Sequence, residues 1–214
     1  MTGSNLALDN TRYCPYRGIP SMTPAVVHYY LRALGSKWSG KGDVVELGCW
    51  LGATTRALLD GLDLANFDGR YYAYDRWTAD AQQVAKAERQ EEVLSWAENI
   101  LPRFDRNTQG LVKSYRGEIG LTLADHCPPG PVEICLFDAP KQDPLFTSCM
   151  DILRPHFIPG VTVVGLLDYY FYRDHPERSE LLAPVKYVVA NAAAFEKIAE
   201  WPEQCSCVFF RYIG

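Results

Sequence analysis

Short apolar runs recur along this chain at strand spacing, and longer stretches of helical pattern separate them. The spacing predicts strands over 43–47, 70–74, 111–115, 132–137, 161–167, 185–189 and 205–212. Helices are expected over 23–34, 54–62, 78–101, 121–125, 144–153 and 192–201. Parallel strands need a crossover, usually a helix, so this alternation predicts an open, mainly parallel α/β sheet. Thr23-Pro24 suits a helix start, because threonine caps and proline fits the first turn. Within the long stretch 78–101, Val84, Val93, Leu94 and Trp96 are the inward candidates, and Pro102 is expected to end it. No linker, repeat or low-complexity tract interrupts the 214 residues. One domain is therefore expected over 1–214, with an N-terminal cap and helix over 1–40 and a catalytic core over 41–214.

The stretch Val44-Val45-Glu46-Leu47-Gly48-Cys49-Trp50-Leu51-Gly52-Ala53-Thr54-Thr55 reads as a buried strand, a glycine turn and a helix start. Such a turn lets a ligand approach backbone that a side chain would otherwise cover. In open α/β sheets, ligands bind outside the carboxyl ends of the strands, where strand order reverses. Three expected strands end in acids there, Asp75, Asp138 and Asp168, and Glu46 lies on the first strand. The glycine spacing is G-x-x-x-G rather than the dinucleotide pattern G-x-G-x-x-G. Trp50 inside the turn would also crowd a pyrophosphate. Each feature alone has an ordinary structural reading, a common connection for the turn and a helix cap for Asp75; their combination points to a nucleotide-like ligand.

E-x-G-x-x-x-G with an acid after the second strand resembles the class I S-adenosylmethionine-dependent methyltransferases. That resemblance implies a Rossmann-like seven-stranded, mostly parallel sheet with helices on both faces, an antiparallel last strand and an N-terminal cap segment. It implies S-adenosylmethionine as cofactor, with Glu46, Gly48, Cys49, Trp50, Gly52 and Thr54 around the glycine loop. Asp75 would accept from the ribose hydroxyls, Arg76 and Trp77 would edge or stack on the adenine, Gly117 and Glu118 would lie at its edge, and Asp138 would also contact the cofactor. Arg17-Gly18-Ile19-Pro20-Ser21-Met22-Thr23 is similar to the leading segment of the macrocin O-methyltransferase group, which acts on sugars of macrolide antibiotics. The stretches 100–117 and 158–169 follow the same layout, so the similarity spans residues 17–170. It implies an O-methyltransferase of a small molecule, a sugar or secondary metabolite, in antibiotic biosynthesis. Relatives often dimerise through N-terminal segments, which implies a homodimer.

Such enzymes often hold magnesium with acid pairs after strands four and five. Here Asp138-Ala139-Pro140 and Leu167-Asp168-Tyr169 retain one acid each. Asp138 and Asp168 would supply two of the oxygen ligands that magnesium requires; without a metal they would hydrogen-bond or deprotonate an acceptor hydroxyl. Asp138, Asp168, Lys141 and His175 are the catalytic candidates. Lys141 could orient an oxygen or an anionic substituent, and His175 lies in the charged segment 173–178. The aromatics Tyr13, Tyr16, Tyr169, Tyr170, Phe171 and Tyr172 are expected partly in the core and partly at the site mouth. Two other readings stand beside methyl transfer: a hydroxylase- or cyclase-type enzyme on the same fold, and a non-catalytic cofactor-binding module. Intact Glu46, Gly48, Gly52 and Asp75 favour cofactor binding without fixing the reaction.

A net charge of −5 with no Lys/Arg block argues against nucleic acid as a partner. No apolar run approaches about 18 residues, and residues 1–10 carry no basic-plus-apolar leader, so no membrane association is expected and the cytoplasm is the expected location. Seven cysteines, an odd number without a C-x-x-C pair, read as reduced core residues rather than a zinc site or a disulfide framework.

Overall fold

The computed structural model describes residues 14–214. The first part of the expected N-terminal cap, with Tyr13, lies outside the described residues. Two compact units are present, one comprising the residues up to Trp38 with 49–67 and 77–112, the other 39–48, 68–76 and 113–214.

The second unit holds the sheet. Its strands are β1 (Asp43–Leu47), β2 (Tyr71–Asp75), β3 (Lys113–Arg116), β4 (Val132–Phe137), β5 (Val163–Leu166), β6 (Phe195–Trp201) and β7 (Cys207–Tyr212), in the spatial order β3-β2-β1-β4-β5-β7-β6. Pairing is parallel from β3 through β5, and β7 runs antiparallel to both of its neighbours. This is a Rossmann-like α/β sheet with an antiparallel last strand. Order reverses between β1 and β4. Every residue of β2 and β4 is buried, as central parallel strands require. On one sheet face Val45, Leu47, Tyr72, Tyr74, Cys135, Phe137 and Val164 form a core with Ile119 and Leu123 of an α-helix over Ile119–Asp125, Phe146 and Met150 of a helix over Leu145–Leu153, and Val188 of a helix over Ala183–Ala190.

In the other unit, helices over Ala25–Gly35 and Ala53–Leu64 touch backbone to backbone. A Cβ on Gly61 would stand 2.0 Å from the Arg32 carbonyl oxygen, and one on Gly35 would stand 2.5 Å from that of Leu58. Only glycine permits that approach. Asp60 locks the leading segment to the second helix: it accepts from the Tyr16 hydroxyl at 2.7 Å and pairs with Arg17 and Arg56.

Two expected segments differ. The stretch 78–101 is not one helix. A short helix over Ala81–Glu88 starts at a capping box between Asp80 and Gln83, and Glu91 and Ala97 adopt positive φ that no α-helix continues through. The chain then returns to pair 97–100 with 77–79 (Ala97 N–H to Ala79 carbonyl, 2.8 Å; Ile100 N–H to Trp77 carbonyl, 3.0 Å). Leu94 is buried as expected, whereas Val93 and Trp96 are among the most exposed large apolar residues. Pro102 ends no helix; it occupies the first turn of a further one, Leu101–Asn107, where its missing N–H costs nothing.

At the other end of the chain a helix and a strand exchange places. Residues 185–189, rich in valine, fall inside the helix Ala183–Ala190, which has Pro184 in its first turn. Of 192–201 only Ala192–Ala194 form a 3₁₀ turn, and Phe195–Trp201 is the edge strand β6. Glu196, Lys197 and Glu200 favour helices in isolation, but as edge residues they meet water and discourage strand addition from another chain.

Candidate active site

In the sheet unit the acids gather at the carboxyl ends of the strands. Backbone bonds carry the ladders past the strand ends and fix them there. The Leu47 carbonyl accepts from both Asp138 (2.8 Å) and Ala139 (3.0 Å), the Phe137 carbonyl from Leu167 (2.9 Å), the Tyr74 carbonyl from Gly48 (2.8 Å), and the Asp75 carbonyl from Gly117 (3.0 Å). Asp138 and Asp168 thus flank the β4–β5 edge, one strand from the point of reversal, and Asp75 closes β2.

Asp138 and Asp168 form one unit. The Asp138 carboxyl hydrogen-bonds Asp168, and the Lys141 ammonium forms an ion pair with Asp168 Oδ2. Although Asp138 is half-buried as a residue, dehydration of its carboxyl pushes its pKa up to about 8. The charge of Asp168 adds to that rise and Lys141 opposes it. The Asp138 carboxyl therefore holds its proton at neutral pH, because a second charge beside Asp168 is costly. Phe171, half-buried on a 3₁₀ turn over Phe171–Arg173, extends the group: Lys141 Nζ lies 4.9 Å from its ring centre, and the His175 ring packs against it at a tilt of 54°, centre to centre 4.5 Å. All four expected catalytic residues therefore belong to one cluster, with His175 joined through Phe171.

In the sequence Phe171 reads as one aromatic among several and Cys207 as a core cysteine. Cys207 is buried and donates to the Leu167 carbonyl at 3.0 Å, directly before Asp168. Burial, with the neighbouring acids, pushes its thiol well above the usual range. Antiparallel pairing of β7 on β5 puts it there, which single-sequence pattern does not reveal. All seven cysteines are free thiols. Tyr169 packs in the core, Tyr170 donates to Glu200 at 2.5 Å, and Tyr16 serves Asp60, whereas Phe171 lies against Lys141 beside the acids.

Several expected cofactor contacts are internal instead. Glu46 is fully buried and its Oε2 accepts from the Tyr71 hydroxyl at 2.6 Å. Trp77 has no exposed surface: its ring packs on Phe104 at 4.8 Å and its indole N–H donates to the Trp50 carbonyl at 3.1 Å. It is a core residue and cannot stack on an adenine. Cys49, Trp50 and Thr54 are buried as well. The glycines are required by protein atoms. A Cβ on Gly48 would meet the Ala139 nitrogen and Cβ at 2.5 Å, and one on Gly52 the Phe104 ring at 2.9 Å, and both have φ of +89°. Gly48→Ala is accordingly expected to destabilise the fold by roughly 2–5 kcal/mol, from strain and overpacking together; denaturant unfolding measures it. Arg76 and Glu118 remain exposed and Gly117 half-buried.

Magnesium does not suit these residues. Among the described residues no group of three or more His, Cys, Asp or Glu is placed to hold a metal ion. Lys141 already pairs with Asp168, and Ala139, where a second acid would stand, is packed on Gly48. The expected magnesium site at Asp138 and Asp168 is therefore not supported.

No protein-family model matches the chain, and no curated protein matches it in sequence. Solved structures do. An O-methyltransferase from Bacillus cereus in complex with S-adenosylhomocysteine is 15% identical, with 90% of this chain and 82% of that one covered at a TM-score of 0.58. The O-methyltransferase NovP is 18% identical over 91% and 82%, with a TM-score of 0.58. CalS11, a TDP-rhamnose 3'-O-methyltransferase of calicheamicin biosynthesis, is 14% identical over 87% and 77%, with a TM-score of 0.54. The fold is that of these methyltransferases. At such low identity the likeness concerns the fold alone, and the particular macrocin group is not singled out. Within this fold an acid closes β2 and acids follow β4 and β5, while the glycine turn is packed against protein atoms. No helix among the described residues is long and apolar enough to cross a membrane.

Proposed function

We propose that this chain is an S-adenosylmethionine-dependent O-methyltransferase acting on a hydroxyl of a small molecule, a sugar or other secondary metabolite of natural-product biosynthesis. The observation that carries the reading is the Asp138–Asp168–Lys141 cluster at the strand ends of a methyltransferase fold. Oxygen methylation needs a group to take the acceptor's proton, and a carboxyl pair with one ionisation near neutral pH is suited to that task. The donor set also suits the cofactor. Asp75 offers carboxylate oxygens at the end of β2, the acceptor that two ribose hydroxyls require, with Arg76 following it and Glu118 exposed after Gly117.

S-adenosylmethionine supplies a methyl carbon made electrophilic by its sulfonium. The chain's part is alignment and proton transfer. Asp138, backed by Asp168, takes the proton from the acceptor oxygen. Asp75 holds the ribose. His175, steadied by Phe171, meets the outer part of the acceptor. Glu46 acts indirectly: it is buried on β1, and its charge contributes to holding the Asp138 carboxyl protonated.

Calorimetric titration tests the reading. S-adenosylmethionine and S-adenosylhomocysteine are each expected to bind one to one in the micromolar range, on the order of −8 kcal/mol. Absence of heat for both at millimolar ligand would reject the proposal.

A further inference from the structure

We propose that Cys207 is a positioning residue: its thiol ties the exit of β5 to the start of β7 and thereby fixes the direction in which Asp168 meets Asp138. The inference rests on the role proposed for that carboxyl pair in methyl transfer. β5 and β7 run antiparallel with Leu166 opposite Val208, so the next pair beyond the strand is Leu167 with Cys207. Cys207 Sγ lies 3.0 Å from the Leu167 carbonyl oxygen, nearer than the 3.2 Å to the carbonyl of Cys205. Its one proton therefore serves the peptide that leads into Asp168. From the other side Leu167 donates its N–H to the Phe137 carbonyl at 2.9 Å, one residue before Asp138. Leu167 is thus held by β4 and by β7, and each bond stands next to one of the two acids.

The corner that carries the thiol is fixed as well. Ser206 is buried at a φ of +59°, a conformation that a non-glycine residue keeps only where its surroundings impose it. Its carbonyl accepts from the Tyr170 N–H at 3.1 Å. Asp168 therefore lies in a short segment, 167–170, tethered to residues 206 and 207 at both ends. A thiol suits this place. It is compact and apolar enough to be buried beside two acids. Burial, Cys205 and the charges of Asp168 and Asp138 all hold it protonated. Its hydrogen thus stays on the carbonyl over the range in which Asp138 titrates. The other groups that bear on Asp138 are Lys141, in the loop after β4, and Glu46 on β1.

The test follows the Asp138 carboxyl directly, by carbon NMR of protein carrying carboxyl-labelled aspartate, with the signal assigned by its loss in Asp138→Asn. Wild type is expected to titrate at about 8. Cys207→Ala and Cys207→Val, each without a donor, are expected to lower that midpoint by about one pH unit, a tenfold loss of proton affinity, because Asp168 then turns away and no longer raises it. Cys207→Ser keeps a donor and is expected to stay within about twofold of the wild-type proton affinity. Either donor-free variant suffices, so the test survives the failure of one to fold. An unmoved midpoint in a folded donor-free variant would overturn the inference. So would a Cys207→Ser midpoint displaced as far as theirs, or a wild-type midpoint in the ordinary carboxylate range. Calorimetry with S-adenosylhomocysteine on the same wild-type protein keeps the two failures distinct: absence of binding there strikes the methyltransferase reading and leaves the comparison of midpoints standing.

Discussion

Asp138→Asn is expected to lower kcat/KM by roughly 10²–10⁴-fold, the range in which a positioned acid–base group contributes. Asparagine keeps the shape and the backbone bond to Leu47 but cannot take a proton. The pH profile carries the sharper signature. In wild type Asp138 must lose its proton before it can accept one, so kcat/KM should rise about tenfold per pH unit below about 8 and level above it. In Asp138→Asn that limb should vanish. Stability moves in the opposite sense. A carboxyl whose folded pKa lies above its unfolded value binds more protons in the native state, so it favours folding at low pH and loses that contribution as pH rises toward about 8. Asp138→Asn should therefore raise Tm at pH 9 relative to wild type and leave it little changed near pH 4. A variant inactive at every pH yet with an unaltered pH dependence of Tm would show that the shifted group is elsewhere.

The second large effect is expected at Asp75. Replacing it by alanine removes the proposed carboxyl acceptor for two ribose hydroxyls. Hydrogen bonds to a charged group are each worth about 1.5–3 kcal/mol, so the affinity for S-adenosylhomocysteine should fall roughly 10²–10⁴-fold. Competitive calorimetry against wild type measures it. The Asp75 side chain closes β2 and lies at the margin of burial, so a thermal melt of the variant separates lost binding from lost folding.

The sheet was legible where pattern and packing agree. β1 and β4 coincide with their expected spans, and β2 differs at its ends only, because buried parallel strands read as nearly continuous apolar runs, here interrupted by Glu46 and Glu133. The swap at 185–201 shows where propensity yields. Valines that suit a strand lie in a helix with Pro184 in its first turn, and helix-forming Glu196 and Lys197 lie in an edge strand through pairing with β7. The break within 78–101 is written in Asp80 and Gln83, a capping box two residues later than the expected start, and in backbone turns at Glu91 and Ala97 that no residue type there announces.

The candidate site was legible in part. Asp138, Asp168 and Lys141 are close in space because β4 and β5 are neighbours; the sequence placed the acids at strand ends but did not specify that pairing. Trp77 and Glu46 were misread because an aromatic or an acid near a strand end looks the same in sequence whether it faces a ligand or a partner such as Trp50 or Tyr71. The glycine turn likewise signals a close approach without saying what approaches; here it is Ala139 and Phe104.

A crystal structure with bound S-adenosylhomocysteine tests the central claim most directly. Both ribose hydroxyls are expected within hydrogen-bond distance of the Asp75 carboxylate, with the sulfur directed toward Asp138 and Lys141. A ligand bound away from the end of β2, or with its sulfur remote from the Asp138–Asp168 pair, would contradict it.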